Sequence, residues 1–285
     1  MDINFFKTTR ILDGGMGQEL LARGMKANGT LWSANAVLKE EYHQLLLDTH
    51  LDFIKAGAEV IVTATFTTRR IRLRDNKIED KFEYLNKKAG EIAQKAKEQY
   101  PNVLIAGGLP PQYLTYEEDT RPDDEIKQTF YDQSQLLDPY IDFFYLDVMS
   151  SLKECQIAIN SIKSFKKEFL LGIHIRKGGK LPSGEKLLSV IRKVKKYKPI
   201  GIIVSCVSIE DVAEVFTDLK KIKLPFGFKI NAFEHIPAGW KPDSNNPKVQ
   251  LGKRNDLTPI KFANTCIKFN KMGANIIGGC CEITP

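Results

Sequence analysis

The stretch Ile200-Gly201-Ile202-Ile203-Val204-Ser205-Cys206 is a short apolar run that stops at a cysteine. Seven further apolar runs are spread along the 285-residue chain, and longer amphipathic segments separate them. The eight runs lie at residues 10–12, 60–63, 103–106, 143–146, 170–173, 200–204, 226–230 and 274–277. Apolar runs that alternate with helical patterns are typical of βαβ units in a parallel sheet. Eight such units predict an α/β fold of the (β/α)8 TIM-barrel type, with a doubly wound open sheet as the alternative.

The segments between the runs carry the start and stop signals of helices. Ser208 and the pair Thr258-Pro259 each predict a helix N-terminus. Gly57 and Gly273 stand where helices are expected to end. No helical pattern follows the eighth run, so we expect the barrel to lack its last helix or not to show it.

Length and composition fit one large domain. With 42% hydrophobic residues, the range 1–285 suffices for a single barrel core. No run of about 18 apolar residues occurs, so no membrane helix is expected. The net charge of +7 comes from dispersed lysines, which are typical of solvated helix faces rather than of a nucleic-acid site. Five cysteines and the lack of a signal-peptide pattern predict a cytoplasmic protein with free thiols.

Three cysteines end two of the apolar runs. Cys280 and Cys281 follow the eighth run, and Cys206 ends the sixth. Because these strands are near neighbours in a barrel, the three thiolates could bind one zinc ion (Zn²⁺) and leave its fourth position open, as catalytic zinc requires. Alternatively, adjacent residues of a strand face opposite sides, and one of the pair is then a core residue. Cys155 and Cys266 fall within helical patterns and are expected in the core.

Further candidate site residues follow the other runs, because the active site of a barrel lies at the carboxyl ends of its strands. Asp13 and Asp147 follow the first and fourth runs and could bind an ammonium group. His174 follows the fifth run and could have a role in the pocket or a structural one. The next residues after Asp13 could offer backbone N–H groups to a carboxylate or form an ordinary tight turn. They are Gly14, Gly15 and Met16.

Three aromatic residues could line a pocket for a cation. They are Trp32, Phe66 and Tyr113. Aromatic faces attract sulfonium and quaternary ammonium ions. The alternative for each of the three is ordinary packing.

These residues together resemble the homocysteine S-methyltransferase family. The resemblance rests on residues 13–17, 32–34, 56–61, 65–66, 147–154, 183–185, 206, 231–240 and 278–281. It implies a zinc-dependent barrel that transfers a methyl group to the thiol of L-homocysteine and forms methionine. Carried over by position, Cys206, Cys280 and Cys281 would bind zinc. Asp13 and the glycine backbone after it would lie in the substrate pocket.

The methyl donor is the least determined part of this resemblance. Asp147 stands where many members carry glutamate, and residues 65–68 and 107–111 depart from the common family forms. We expect a compact onium donor near Trp32, with Phe66 and Tyr113 as neighbours. S-methylmethionine is the first choice, and other sulfonium compounds, S-adenosylmethionine and betaine are alternatives. The competing hypotheses are a non-catalytic metal- or thiol-binding barrel and a methyltransferase acting on another thiol. The expected partners are small-molecule substrates, and the oligomeric state is open.

Overall fold

Eight parallel strands alternate with helices along the chain. The structure is a computed structural model that describes residues 4–243 and 246–285. The strands are β1 Arg10–Ile11, β2 Val60–Val62, β3 Leu104–Leu109, β4 Phe143–Met149, β5 Phe169–Ile173, β6 Gly201–Val207, β7 Phe226–Ile230 and β8 Ile276–Gly279. Each strand overlaps one of the predicted apolar runs, which confirms the expected βαβ units.

The helices begin and end close to the signals in the sequence. The α-helices are α1 Met16–Ala22, α2 Ala34–Leu38, α3 His43–Lys55, α4 Arg70–Asp75, α5 Phe82–Gln99, α6 Asp123–Leu137, α7 Leu152–Ile162, α8 Leu187–Val194, α9 Ile209–Lys220, α10 Pro247–Leu251 and α11 Pro259–Lys271. The side chains of Ser208 and Thr258 cap α9 and α11. Gly57 and Gly273, with φ of +110° and +116°, follow the ends of α3 and α11. Such left-handed conformations favour glycine, which explains both residues.

The sheet curls into a nearly closed barrel. Its strand order is β1-β8-β7-β6-β5-β4-β3-β2, and a parallel bridge between Leu12 and Val60 joins the two ends. This closure excludes the doubly wound open sheet. No helix follows β8 in the described chain. Instead, residues 280–285 turn back over β1, and Gly15 N donates a hydrogen bond to Ile283 O at 2.8 Å.

The barrel interior is packed at the amino ends of the strands. Phe6 is fully buried there and meets the Phe143 ring edge-to-face, with 5.8 Å between the ring centres. Leu170, Ile203 and Ile276 belong to the same buried cluster. A larger cluster lies between the outer faces of the strands and the helices. Since the lower interior is filled, the space for a ligand lies at the carboxyl ends of the strands. None of the described helices is long and apolar enough to cross a membrane.

Candidate metal centre and substrate pocket

The three cysteines at the strand ends converge at the carboxyl face of the barrel. The Sγ atoms of Cys206, Cys280 and Cys281 all lie within 4.8 Å of one another. Cys281 Sγ is 4.0 Å from Cys206 Sγ and 4.0 Å from Cys280 Sγ. Two sulfurs bound tetrahedrally to zinc at about 2.3 Å each lie about 3.8 Å apart. The three sulfurs therefore fit one metal ion with only small movements.

The adjacent cysteines can face the same point because they have left the strand. β8 ends at Gly279, and Cys280 and Cys281 lie in the turn that follows. Backbone hydrogen bonds hold this turn, from Cys280 N to Ile230 O at 2.7 Å and from Ala232 N to Cys281 O at 2.9 Å. Side chains alternate strictly between two faces only within a strand, so in this turn both cysteines can face the same site.

Cys206 is directed into the site by an irregularity of β6. The pairing of β6 with β7 shifts between Ser205 and Val207, and Cys206 has a left-handed φ of +55°. β4 has a similar shift, where Val148 has a φ of +61°. Left-handed backbone is costly for residues with side chains and clusters at functional sites. The bulges change the direction of both strands just below the pocket.

The three thiols form hydrogen bonds with one another, and Cys206 also accepts a hydrogen bond from a phenol. Tyr116 Oη lies 3.1 Å from Cys206 Sγ, and Asn231 Nδ2 lies 3.8 Å from the same sulfur. Hydrogen bonds shared with Cys280 and Cys281 hold the pKa of Cys206 well below its ordinary value, against the effect of burial. The shared bonds raise the pKa values of Cys280 and Cys281. One thiolate is therefore favoured at Cys206. No sequence pattern indicated that Tyr116 would lie at the site.

Asp147 lines the same cavity as the three cysteines. Its Oδ1 accepts a hydrogen bond from Ser205 Oγ at 2.6 Å, and Tyr145 Oη also donates to the carboxylate. Burial raises the pKa of Asp147 to about 6, and the nearby Lys229 ammonium partly offsets this effect. The two hydroxyl donors fix the carboxylate at the wall of the pocket.

Asp13 lines this cavity too, but it already has a partner. Its Oδ1 lies 2.8 Å from Lys229 Nζ, and its Oδ2 accepts a hydrogen bond from Val62 N at 2.8 Å. Sequence reasoning missed Lys229. The available signal was a lysine inside the apolar run Phe226–Ile230, where every residue is buried. Both carboxylate oxygens of Asp13 already have hydrogen-bond partners, so Asp147 is better placed to bind an ammonium group.

The glycine-rich turn after Asp13 packs against the turn of the cysteines. A Cβ atom on Gly15 would lie 2.7 Å from Cys280 O, and one on Gly14 would lie 2.4 Å from Ile283 O. Both positions therefore need glycine for close approach. The N–H groups of Gly15 and Met16 donate to Ile283 O and Gly14 O. All three residues line the cavity, but these two N–H groups are not free to bind a carboxylate.

A second cavity, here called the aromatic cavity, has five aromatic side chains in its lining and adjoins the first at Trp32 and Cys281. Trp32 meets the Phe66 ring edge-to-face at 6.1 Å, and its Nε1 donates to Gln18 Oε1 at 2.9 Å. The other aromatic side chains of this cavity are Tyr116, Phe233 and Trp240. The structure thus places Trp32 and Phe66 together in a cavity that also contacts Cys281.

Tyr113 is not brought to either cavity. Its ring packs under the Arg121 guanidinium, 5.1 Å from the ring centre, and Tyr116 provides the aromatic face at the site instead. Two loop residues separate the two tyrosines, and their spacing in the sequence did not show which one turns inward. His174 lies behind Tyr116, with 4.5 Å between their ring centres, and burial lowers its pKa to about 4. His174 is therefore a neutral support for Tyr116 at neutral pH.

Two buried arginines also line the aromatic cavity. Arg69 donates to neutral partners, Pro111 O at 2.5 Å and Thr115 Oγ1 at 2.8 Å. The Nε atoms of Arg69 and Arg72 are buried without a hydrogen-bond partner in the described chain. Both guanidinium groups add positive charge to the lining of this cavity.

These features define a (β/α)8-barrel protein with a three-thiol centre beside an acidic and an aromatic pocket. Residues 10–285 match the family described as homocysteine S-methyltransferase. The chain belongs to the homocysteine S-methyltransferase family and is a methyltransferase.

Similar proteins agree with this assignment. The homocysteine S-methyltransferase of Escherichia coli (strain K12) is 26% identical over 296 residues, which cover 96% of this chain and 91% of that protein. Betaine–homocysteine S-methyltransferase 1 of Rattus norvegicus is 25% identical and is matched over 69% of its length, again with 96% of this chain. The crystal structure of the metallated form of the Escherichia coli homocysteine methyltransferase MmuM has the same fold. Its TM-score is 0.80 at 22% identity, with 97% of this chain and 93% of that chain covered.

Proposed function

We propose that this chain transfers a methyl group from a small onium donor to the thiol of L-homocysteine and forms methionine. The observation that carries the proposal is the convergence of Cys206, Cys280 and Cys281 at the junction of two cavities. One cavity contains the half-buried carboxylate of Asp147, and the other is lined by aromatic rings such as Trp32. An amino-acid thiol and a cationic donor could therefore meet at the sulfurs.

The metal is proposed to be zinc, held by the three cysteines. Three thiolates with one open position suit a tetrahedral ion that keeps a place for a substrate. A free thiol has a pKa of about 8.5, and a bound zinc ion keeps a coordinating thiol deprotonated at neutral pH. Tyr116 and Asn231 support this arrangement because both offer hydrogens to Cys206 Sγ.

Asp147 is proposed to bind the ammonium group of homocysteine. An unpaired charge is costly in a buried pocket, so the substrate needs a counter-charge there. Asp147 is half-buried, and Ser205 and Tyr145 hold its orientation. Anchoring the ammonium at one end orients the thiol towards the three cysteines, which is the positional part of catalysis.

The donor is proposed to dock in the aromatic cavity with its cation near Trp32 and Tyr116. Ring faces stabilise a desolvated onium group by roughly 0.5–2 kcal/mol, and this attraction fades once the methyl group has left and the product is neutral. The unpartnered Nε atoms of Arg69 and Arg72 favour a donor that also carries a carboxylate. S-methylmethionine is our first choice, with betaine, S-adenosylmethionine and other sulfonium compounds as alternatives.

A donor panel tests the proposal. Zinc-loaded protein is incubated with homocysteine and each donor, and methionine formed is balanced against donor consumed. Stoichiometric methionine with one onium donor is the expected result. Methylation of a different thiol would support the second acceptor hypothesis, and metal binding without any methyl transfer would support a non-catalytic barrel. We also propose that residues 1–285 act as one homocysteine-binding domain in the cytoplasm, where reducing conditions keep thiols free.

A further inference from the structure

The floor of the thiol pocket contains a buried lysine with spare hydrogen-bond donors. The side chain of Lys229 is only 5% exposed, and that of its partner Asp13 only 2%. An ammonium group has three N–H donors. In the described chain, Asp13 Oδ1 is the only hydrogen-bond acceptor of Lys229 Nζ. Within residues 4–243 and 246–285, its other N–H donors have no acceptor, and Lys229 lines the cavity.

The groups around Lys229 make a row of alternating charge. Asp13 lies on one side of it, and Asp147 acts on it electrostatically from β4. Tyr145 places its ring centre 5.8 Å from Nζ, and Ser205, paired in register with Lys229, binds Asp147. Burial opposes the charged lysine, but Asp13 and Asp147 together raise its pKa.

We propose that Lys229 binds the carboxylate of the amino-acid thiol while Asp147 binds its ammonium group. This inference rests on the proposed function and goes beyond it, because it assigns to Lys229 a role in selecting the thiol substrate. Asp13 is then a positioning residue that holds Lys229 through the 2.8 Å contact. A pocket with one fixed cation and one free carboxylate complements an α-amino acid and disfavours thiols that lack either group.

The physical reason for selectivity is the cost of leaving a buried charge without its partner. A site built to hydrogen-bond a polar group rejects the analogue that lacks it. Hydrogen bonds to charged groups are worth about 1.5–3 kcal/mol, which corresponds to roughly 10- to 150-fold in affinity. If Lys229 only neutralised Asp13, the carboxylate of the substrate would make no such difference.

Activity measured with three thiols distinguishes carboxylate binding by Lys229 from simple neutralisation of Asp13. They are L-homocysteine, 3-aminopropanethiol, which lacks the carboxylate, and 4-mercaptobutanoate, which lacks the amine. We expect the zinc-loaded wild type to prefer homocysteine by roughly 10- to 150-fold in kcat/KM over either analogue. Lys229→Met should erase the preference over 3-aminopropanethiol and keep the preference over 4-mercaptobutanoate. Asp147→Asn is the matched control, with the opposite pattern expected.

A second variant and a binding measurement distinguish loss of carboxylate binding from misfolding. Lys229→Met leaves Asp13 buried and unpaired, so the double variant Asp13→Asn/Lys229→Met removes both charges together. Calorimetry then compares L-methionine with 3-(methylthio)propylamine, a readout that needs no turnover. Loss of the preference for L-methionine is expected in each folded variant.

Two results would overturn the proposal. One is a folded variant without Lys229 that keeps the wild-type preference for the carboxylate. The other is a wild type that shows no such preference. If the wild type methylates none of the three thiols with any donor, the proposed function fails. The calorimetric comparison still decides the role of Lys229 in that case.

Discussion

The phenol oxygen of Tyr116 lies 3.1 Å from the Sγ atom of Cys206, in a buried contact between the loop after β3 and the end of β6. Both residues have left-handed backbones, with φ of +66° and +55°. Such conformations persist only where the surrounding structure holds them. The contact therefore helps to set the direction of both side chains, and it joins the three-cysteine cluster to the aromatic cavity.

Tyr116→Phe should make the Cys206 thiolate less stable. The lost hydrogen bond to a charged group is worth about 1.5–3 kcal/mol, so the pKa of Cys206 should rise in chelator-treated protein. The measurement is the pH profile of Cys206 alkylation, followed by mass spectrometry. Tyr113→Phe is the matched control, because Tyr113 lies outside both cavities. Identical profiles for the two variants would show that the phenol does not act on the thiolate.

Cys280→Ala should remove most of the bound metal. Two sulfurs cannot complete a site that needs three protein ligands, and elemental analysis after loading with zinc should show the loss. Cys155→Ala is the control, since that thiol is buried in α7 away from the cluster. Full zinc content in Cys280→Ala, with zinc likewise retained in the control, would refute the three-sulfur site.

Asp147→Asn should raise the KM for homocysteine by about 10-fold or more and leave the zinc content unchanged. The amide keeps the shape of the side chain but removes the charge that pairs with ammonium. Steady-state kinetics at constant donor concentration gives the KM. An unaltered KM would remove Asp147 from the substrate site.

The pH dependence of homocysteine use should report Asp147. Burial raises its pKa to about 6, so the carboxylate is protonated and cannot pair with ammonium below that pH. We expect kcat/KM for homocysteine to fall as the pH decreases through about 6. Because the groups that face Asp147 include Lys229, Tyr145 and Cys280, the same profile is measured in Asp147→Asn. A fall of equal size in the variant would assign the dependence to another group.

Trp32→Ala should raise the KM of the donor more than that of homocysteine, by up to about 30-fold for an onium cation. Gly17→Ala offers an independent perturbation, because its Cβ would lie 2.3 Å from Trp32 Cε2 and displace the indole. Kinetics with both substrates varied in turn separates the two KM values. Equal effects on both would mean that Trp32 only shapes the pocket, and activity confined to a neutral donor would reject the cation argument.

The strand and helix positions could be read from the sequence because they depend on local patterns. An apolar run such as 200–204 is buried on both faces wherever a parallel sheet forms, and it became the core of β6. Ser208 caps α9 through atoms only three residues away, so its role is visible in sequence. The grouping of Cys206 with Cys280 and Cys281 was also predictable, since all three lie at the carboxyl ends of strands, which share one face of a barrel.

The sequence by itself determined the barrel, the order of its units and the face on which the cysteines meet. Only the tertiary structure decided which side chains complete the pocket. Lys229 and Asp13 are 216 residues apart, and closure of the barrel brings them to 2.8 Å. Tyr116 rather than Tyr113 faces the sulfurs because the backbone of its loop turns through a left-handed residue. These contacts depend on bulges, turns and packing across the barrel, which no periodicity along the chain encodes.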